Sequence, residues 1–240
     1  MNALIITQCR MTSSRLPGKI LLPLGDETVL GAHIKRLKQT GLPIAIATTS
    51  NKEDDPLIEV AAKHAVAITR GSELDVLQRF IDTCNQNPCD WVIRVTSDCP
   101  FIDPTLILRG LELIQDQSTT ETYVSNCFPR TYARGFDFEI FHASRLNEIA
   151  SQSDDPYDHE HVTPYLWKNK NGQTNILNVS DDEDNSSIRL CIDTTEDYTL
   201  CEILEDRFKA STLNYREIQN VMRTNPELGK INAHIEQKKN

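Results

Sequence analysis

Three cations near the start of the chain, Arg10, Arg15 and Lys19, have the residue types and spacing that bind phosphate. They follow the apolar run Ala3–Ile6, and no acidic residue occurs before Asp26, although the 240-residue chain has a net charge of -10 at pH 7. Two guanidinium groups and an ammonium on one loop can surround a polyphosphate. The segment therefore predicts an anion site at the end of a strand. A solvated basic loop is the alternative.

Small residues separate these cations, and Ser13 is one of those that leave room for backbone N–H groups to approach a phosphate. The loop differs from a Walker P-loop, because Ile20 follows Gly18 and Lys19 where that motif requires Ser or Thr. The phosphate interpretation therefore depends on the three cations and their position after a strand.

Two carboxylates follow apolar, strand-like runs elsewhere in the chain. Asp98 comes after Trp91–Thr96, and Asp193 comes after Ile188–Ile192. A hard cation such as Mg²⁺ binds one or two carboxylates together with substrate phosphates, so these two residues are candidate metal ligands. Turn or helix-cap roles remain open for both, and a cap just after Asp193 is compatible with a metal role.

Short apolar runs alternate with amphipathic segments through the first half of the chain, which predicts an α/β fold: a mostly parallel central sheet with helices on both faces, Rossmann-like. Ligands of such sheets bind at the carboxyl ends of the strands, where the basic loop and Asp98 both fall. The predicted strands are Ala3–Thr7, Ile44–Thr48, Val66–Thr69, Trp91–Thr96, Thr122–Asn126, Phe136–Phe141, Asn175–Val179 and Ile188–Ile192.

Helices are predicted after Thr28, after Asp55-Pro56 and after Asp103-Pro104, and loops at 151–158 and 180–187. Further helices are predicted at Leu74–Asn85, Ala143–Ala150, Val162–Lys168 and Thr199–Phe208. Without repeats or a long linker, residues 1–240 are interpreted as one domain.

The composition, with 39% hydrophobic and 25% charged residues, is typical of a globular domain. The acidic net charge argues against nonspecific nucleic-acid binding. Neither a signal peptide nor a membrane span is expected, because no apolar run is long enough. The seven cysteines are scattered without a C-x-x-C pair, which favours free thiols and a cytoplasmic protein.

Several motifs together resemble the spore-coat polysaccharide biosynthesis protein F family, over residues 3–200. That family is similar to the cytidylyltransferases that make CMP-activated sugar acids, of the acylneuraminate and 3-deoxy-manno-octulosonate types. The motifs are QxRMxSxRLPGK at 8–19, RGS at 70–72, RVTxDCPxID at 94–103, GxDxExF at 135–141, EHVTPY at 160–165 and DTxEDY at 193–198.

The resemblance implies a nucleotide-diphospho-sugar transferase-like fold and Mg²⁺-dependent transfer of CMP from CTP to a sugar or sugar-acid acceptor, with release of pyrophosphate, for surface polysaccharide synthesis. It also implies a homodimer, for which segment 120–165 is the expected contact. It further implies that the domain is divided into a nucleotide-binding half at 1–118, an acceptor-binding and metal-completing half at 119–210, and a helical tail at 211–240. The residues it implicates are Arg10, Ser13, Arg15, Lys19, Arg70, Ser72 and Thr96 for the nucleotide, Asp98 and Asp193 for Mg²⁺, and Asp137 and Glu139 for the acceptor. The acceptor's identity stays open, because Thr7–Arg10 departs from the Ile-Pro-Ala-Arg of the stricter CMP-sugar synthetases.

Two other groups of residues have alternative interpretations. Glu160 and His161 are candidates for binding acceptor hydroxyls or a carboxylate, whereas a zinc site with His159 is disfavoured because i and i+2 diverge on a helix. Asp182–Asp184 has the D-x-D spacing of a glycosyltransferase metal site, but its acidic surroundings favour a solvated loop. A glycosyltransferase and a non-catalytic nucleotide-binding partner are therefore the alternative functions.

Overall fold

Residues 1–116 and 119–235 are described in the computed structural model of the protein, and their strands form one seven-stranded sheet and a two-stranded ribbon. The strands are β1 Ala3–Gln8, β2 Pro23–Leu24, β3 Glu27–Thr28, β4 Ile44–Thr49, β5 Ala67–Gly71, β6 Trp91–Thr96, β7 Thr122–Ser125, β8 Glu139–His142 and β9 Asn175–Asn178. The sheet order is β5-β4-β1-β6-β8-β7-β9, and β2 pairs with β3. Among these seven strands β8 is antiparallel to its neighbours, so the predicted mostly parallel sheet is confirmed.

Helices cover both faces of this sheet, as predicted. They are α1 Val29–Lys38, α2 Pro56–Lys63, α3 Val76–Gln86, α4 Pro104–Asp116, α5 Ser144–Gln152, α6 Pro156–His161, α7 Pro164–Trp167, α8 Thr195–Phe208, α9 Tyr215–Thr224 and α10 Pro226–Gly229. In β1, Ile5 packs in the core under α1, α4 and α8, whereas Ile6 packs in the core under α3 and α5. Both side chains are fully buried, which is why β1 reads as a continuous apolar run.

The helix starts follow the cap residues in two of three predicted cases. The Thr28 hydroxyl accepts a hydrogen bond from the Gly31 N–H at 3.0 Å, and Asp103 accepts one from the Thr105 N–H at 2.8 Å. Asp55 precedes α2 but makes no side-chain cap, because its carboxylate pairs with Arg70 at 2.8 Å.

The second half of the chain departs from the predicted boundaries where side chains or backbone conformation intervene. The strand expected at Phe136–Phe141 is shortened to β8, since the Asn126 side chain bonds the Phe136 carbonyl and the Phe138 N–H in place of a neighbouring strand. The left-handed φ of +70° at Val162 ends α6. The predicted strand Ile188–Ile192 is wrong, because this segment belongs to no strand of the described sheets and its β-type pairing is the single isolated bridge between Arg134 and Arg189.

The loop predicted at 151–158 instead contains the start of α6, and α3 begins at Val76, two residues after the predicted Leu74. The loop at 180–187 is confirmed. The predicted tail at 211–240 contains α9 and α10, and its residues 236–240 lie outside the described part of the chain.

In the described part, no helix is both long and apolar enough for a membrane span, and all seven cysteines are free thiols.

Gly135 lies where two backbone segments approach closely. Its φ is +106°, and a Cβ there would lie 2.8 Å from the Leu190 carbonyl carbon and 3.0 Å from the Cys191 nitrogen. On either side of this contact, the Arg134 N–H donates to the Ile188 carbonyl and the Arg134 carbonyl accepts from the Leu190 N–H. The glycine therefore allows the extended segment that leads to Asp193 to lie against the sheet.

We expect Gly135→Ala to lower the free energy of unfolding by roughly 2–4 kcal/mol, because it adds both a strained φ and a clash with backbone. Gly41→Ala is the matched control: its φ is +73° and no atom lies within 4 Å of the added Cβ, so only the left-handed conformation is penalised, by about 1 kcal/mol. Urea denaturation measures both values. Equal losses in the two variants would contradict the packing argument.

Candidate active site

The carboxyl ends of β1 and β6 lie side by side, because Gln8 and Thr96 are register partners in the parallel pair. The basic loop leaves β1, and Asp98 follows β6. Gly18, with a left-handed φ of +71°, returns the loop so that Lys19 begins a short 3-10 turn. Parallel pairing thereby brings two motifs that are far apart in sequence to one edge of the sheet.

The Lys19 ammonium bridges the two predicted metal ligands. Its Nζ lies 2.7 Å from Asp98 Oδ2 and 2.9 Å from Asp193 Oδ1, and the residue is buried. Burial alone would lower the pKa of Lys19, but the two carboxylates outweigh it and the pKa is raised. Lys19 therefore remains charged between the two acids.

Asp193 is positioned from two directions. The neighbouring Ile192 N–H donates to the Asp98 carbonyl at 2.8 Å, which fixes the extended segment beside the end of β6. The Asp193 carboxylate also pairs with Arg15 at 2.9 Å and with Arg189 at 2.8 Å. Burial acts to raise the pKa of Asp193, but Lys19 and the arginines hold it below its usual value, so it is ionised at neutral pH.

A second buried ion pair supports this arrangement. Asp197 accepts hydrogen bonds from Arg189 Nε at 2.8 Å, from the Asp193 N–H at 3.0 Å and from Asn232 Nδ2 at 2.8 Å. Thr194 and Asp197 also form the capping box that starts α8. The helix cap and the position of Asp193 thus depend on the same Asp197 carboxylate, and the cap expected just after Asp193 is Thr194.

The basic loop is held on its other side by two acids. Asp54 is fully buried and accepts a hydrogen bond from the Met11 N–H at 2.6 Å. Glu73 accepts one from Thr12 Oγ1 at 2.9 Å and pairs with Arg10 at 3.4 Å. The backbone of the loop is therefore fixed while the Arg10 side chain, 46% exposed, remains open to solvent.

A cavity of about 270 Å³, here called the first cavity, lies at this edge of the sheet. Most of the site residues predicted from sequence line it. They are Arg10, Ser13, Arg15, Lys19, Thr96, Asp98, Glu160, His161 and Asp193. The cavity is thus enclosed by cations of the basic loop on one side and by the Asp98 and Asp193 carboxylates on the other.

Arg70 and Ser72 line neither this cavity nor the one beside it. Arg70 donates to the Thr49 and Asn51 carbonyls at 2.9 and 2.7 Å, and so fixes the chain after β4. The Ser72 hydroxyl accepts a hydrogen bond from the Asp75 N–H at 3.1 Å. Their predicted contact with base or ribose stays a prediction, since both are occupied by structural contacts here.

A second cavity, of about 710 Å³, adjoins the first, and Thr96 and His161 line both. Asp137 and Glu139 also line it. Asp137 pairs with Arg130 through two hydrogen bonds of 2.5 and 2.7 Å. The predicted acceptor residues therefore lie together beside the predicted nucleotide residues.

Glu139 is the more strongly engaged of the two acids. It is buried, pairs with Arg94, and accepts hydrogen bonds from Tyr123 Oη at 2.6 Å and Thr163 Oγ1 at 2.5 Å. These bonds fix the orientation of Arg94, another residue of the second cavity. Glu139 thus shapes the cavity wall and is largely occupied by protein donors.

The other predicted metal candidates lie elsewhere. His159 Nδ1 contacts Asp75 at 3.1 Å and its Nε2 contacts the Ser153 carbonyl at 3.0 Å, so both ring nitrogens are engaged. Asp182 and Asp184 are exposed in the loop at 180–187, and neither lines the first or the second cavity. In the described residues, no cluster of three or more His, Cys, Asp or Glu has the arrangement of a metal site.

Asp98 and Asp193 remain a fitting pair for a hard cation. Asp98 Oδ2 and Asp193 Oδ1 both lie within 2.9 Å of the Lys19 Nζ, so the two oxygens converge on one point that already holds a positive charge. Mg²⁺ takes oxygen ligands and is commonly bound by one or two carboxylates with phosphates completing its shell. The donor set is therefore compatible with this ion.

Arg79 is a cavity residue that the sequence analysis missed. It lies on α3, is 2% exposed and lines the first cavity. Leu77, Phe80 and Ile81 form the buried face of this helix, and a charged residue among these apolar positions is the signal in the sequence that could have identified Arg79.

Comparison with known proteins places the chain among nucleotidyltransferases. The family model described as cytidylyltransferase matches residues 4–225. A cytidylyltransferase structure from Leptospira borgpetersenii serovar Hardjo-bovis is 34% identical, with a TM-score of 0.89 and full coverage of both chains. The spore coat polysaccharide biosynthesis protein SpsF of Bacillus subtilis is 31% identical over 236 residues, covering 94% of this chain and 96% of that protein.

A more distant structure shares the fold. The CMP:2-keto-3-deoxy-manno-octonic acid synthetase complexed with CTP is 14% identical, with a TM-score of 0.64, and the match covers 86% of this chain and 99% of that one. The predicted nucleotide-diphospho-sugar transferase-like fold is therefore confirmed, and so is the resemblance to the spore-coat family.

The Asp197 contacts predict a pH-dependent contribution to stability. Burial acts to raise the pKa of Asp197, but its bonds with Arg189 hold the pKa below the usual 3.8. Since the folded pKa is depressed, the stabilisation is complete above about pH 4 and is lost as the pH falls through the folded pKa. We expect Asp197→Asn to lower the free energy of unfolding by at least about 2 kcal/mol at pH 7 and to flatten its decline below pH 4.

Asp206→Asn, an exposed change on the same helix, is the control and leaves both quantities unchanged. Urea denaturation at a series of pH values gives the comparison. An unchanged acid slope in Asp197→Asn would show that Asp197 does not carry this pH dependence.

Proposed function

Because the chain belongs to the cytidylyltransferase family, we propose that it transfers CMP from CTP to a sugar or sugar-acid acceptor with release of pyrophosphate. The observation that carries the proposal is the buried Lys19 ammonium between Asp98 and Asp193, at strand ends beside the basic loop. This combination supports the proposal, because cations suited to a triphosphate and carboxylates suited to a metal ion line one cavity. The second cavity beside it is large enough for a monosaccharide-sized acceptor.

In this reaction an acceptor oxygen attacks the α-phosphorus of CTP, and pyrophosphate leaves. The protein must align the two reactants and neutralise the charge that develops on the leaving group. Arg10 and Arg15 line the first cavity with partly exposed side chains, so they are available to bind phosphate oxygens. Lys19 is fixed more deeply and supplies a charge whose position is set by the two acids.

We extend the proposal to Mg²⁺, held by Asp98 and Asp193. When bound, the ion supplies positive charge that neutralises phosphate oxygens. The Lys19 ammonium, which both carboxylates hold, keeps a positive charge at the same edge of the cavity. Arg15 and Arg189, both paired with Asp193, keep that carboxylate ionised and oriented.

The second cavity is the proposed acceptor site. Asp137, Glu139 and His161 line it together with the stacked rings of Phe128 and Trp167, whose centroids are 4.8 Å apart. Carboxylates and an imidazole suit sugar hydroxyls, and flat aromatic faces suit the apolar side of a sugar ring. Glu160 lines the first cavity beside His161, so it belongs to the boundary between acceptor and nucleotide.

The wider setting is proposed on the same basis. The Bacillus relative is named for spore-coat polysaccharide biosynthesis, which supports a role in surface glycan assembly in the cytoplasm. A homodimer with its contact in segment 120–165 and the division of the domain at 118/119 and 210/211 stay predictions. The exposed position of the D-x-D run gives no support to the glycosyltransferase alternative.

We expect Lys19→Ala and Asp98→Ala each to reduce kcat/KM at least about 100-fold, since one lost electrostatic contact of this kind costs about 3–4 kcal/mol of transition-state stabilisation. The assay measures pyrophosphate after incubation with each nucleoside triphosphate, Mg²⁺ and a panel of sugar and sugar-acid acceptors. Circular dichroism verifies that both variants are folded.

Lys38→Ala, an exposed lysine at the end of α1, is the control and retains wild-type turnover. Wild-type rates in Lys19→Ala or Asp98→Ala would refute the assignment. Failure of the wild type with every triphosphate, together with tight binding of a nucleotide sugar, would support the glycosyltransferase alternative.

Arg134 provides a separate test of the acceptor site. It is half-buried in the second cavity, and its guanidinium has no ion pair in the described part of the chain. We expect Arg134→Gln to raise the acceptor KM roughly 10-fold or more, the usual effect of losing a charged hydrogen bond, and to leave the CTP KM within about twofold. Arg207→Gln, an exposed change on α8, is the control. A rise in the CTP KM alone would move the acceptor out of this cavity.

A further inference from the structure

Arg79 is a buried cation whose hydrogen-bonding capacity is only partly used. Its Nη1 donates to the Ser72 carbonyl at 3.0 Å, whereas its buried Nε has no hydrogen-bond partner. It makes no ion pair with any carboxylate in the described part of the chain. A buried charge without such partners is costly, so the cavity that Arg79 lines is the natural source of a missing acceptor.

The nearby carboxylates are already committed to other donors. Asp54 accepts from the Met11 N–H and from the Thr48 and Thr49 hydroxyls. Glu73 accepts from Asn51, Thr12 and Arg10. Burial and the nearby Arg10 lower the pKa of Arg79, and the attraction of Asp54 and Glu73 does not offset them. A ligand that offers hydrogen-bond acceptors to Arg79 would compensate for its burial and for the repulsion by Arg10.

The position of Arg79 separates it from the two carboxylates proposed to hold Mg²⁺. Its Cγ lies 3.0 Å from where a Cβ on Gly71 would be, at the carboxyl end of β5, whereas Asp98 follows β6. The sheet order β5-β4-β1-β6 puts three strand spacings, roughly 14 Å, between the ends of these two strands. Arg79 therefore lies toward the β5 side of the cavity, away from Asp98 and Asp193.

The walls beside Arg79 suit a flat heterocycle better than a phosphate. Val76, one turn earlier on α3, and the buried Cys9 line the same cavity and present apolar surface. Burial raises the pKa of the Cys9 thiol to about 12, so it is neutral. The guanidinium of Arg79 can donate hydrogen bonds to the polar edge of a base. The faces of that base can contact the side-chain carbons of Val76 and the sulfur of Cys9.

Resting on the proposed function, we propose that Arg79 is the residue that distinguishes cytosine from uracil. Cytosine presents two adjacent acceptors, O2 and N3, to which the guanidinium fork can donate. Uracil carries an N–H at N3, and this donor would face the donors of Arg79, which has no acceptor atom. A bidentate contact of this kind gives roughly 10- to 100-fold discrimination between bases.

The test compares CTP, UTP and inorganic tripolyphosphate as ligands of the full chain, by isothermal titration calorimetry with Mg²⁺ and without acceptor. In Arg79→Met we expect CTP affinity to fall roughly 10- to 100-fold and the preference for CTP over UTP to vanish. Affinity for tripolyphosphate stays within about twofold, which also verifies that the variant is folded. Arg79→Lys keeps the charge but lacks the fork, so it too loses the preference for CTP.

Arg15→Met is the matched control for a phosphate contact and weakens all three ligands alike, without changing the ratio of CTP to UTP. Equal losses of CTP and tripolyphosphate in Arg79→Met would make Arg79 a phosphate ligand and overturn the inference. Wild-type affinities and an unchanged CTP-to-UTP ratio in Arg79→Met would overturn it as well. A wild-type protein that binds none of the three ligands would instead refute the proposed function itself.

Discussion

One buried ammonium determines how the rest of the site is arranged. The carboxylates of Asp98 and Asp193 both lie within hydrogen-bond distance of the Lys19 ammonium. Without a cation between them the two carboxylates would repel each other, and Lys19 supplies that cation. Arg15 and Arg189 then balance the remaining charge of Asp193. The net result is a charged cluster held rigidly at the edge of an apolar core, where fixed charges act more strongly than in water.

The sheet positions this cluster, and the loops refine it. Parallel pairing of β1 with β6 brings Lys19 and Asp98 together, whereas the Ile192 contact with the Asp98 carbonyl brings in Asp193 from a segment outside the sheet. The antiparallel β8 turns the second half of the chain back beside β6 and so places Glu139 next to Arg94. The first and second cavities thus adjoin because parallel and antiparallel strands meet at β6 and β8.

Sequence patterns predicted those parts of the structure that depend on the periodicity of apolar residues and on which residues follow the ends of strands. Arg10, Lys19 and Asp98 were identified because loops at the carboxyl ends of parallel strands share one edge of the sheet. Contacts specific to one side chain were beyond such patterns: Asn126 shortens β8, and Arg70 is occupied by two carbonyls. Arg79 was missed because helical periodicity treats the buried face of α3 as core, and burial does not reveal an unused donor.

The contact of Asn232 with Asp197 also has a consequence for how the chain acquires its active form. Lys19 is joined to Asp193 across 174 positions, and Asp197 accepts a hydrogen bond from Asn232, 35 positions further along the chain. Contacts of such long sequence separation form late, because the intervening chain must already be ordered. During synthesis, the basic loop emerges from the ribosome well before Asp193 and Asn232. The order of assembly therefore separates folding of the sheet from completion of the site, and a prematurely terminated chain retains the loop without the finished cluster.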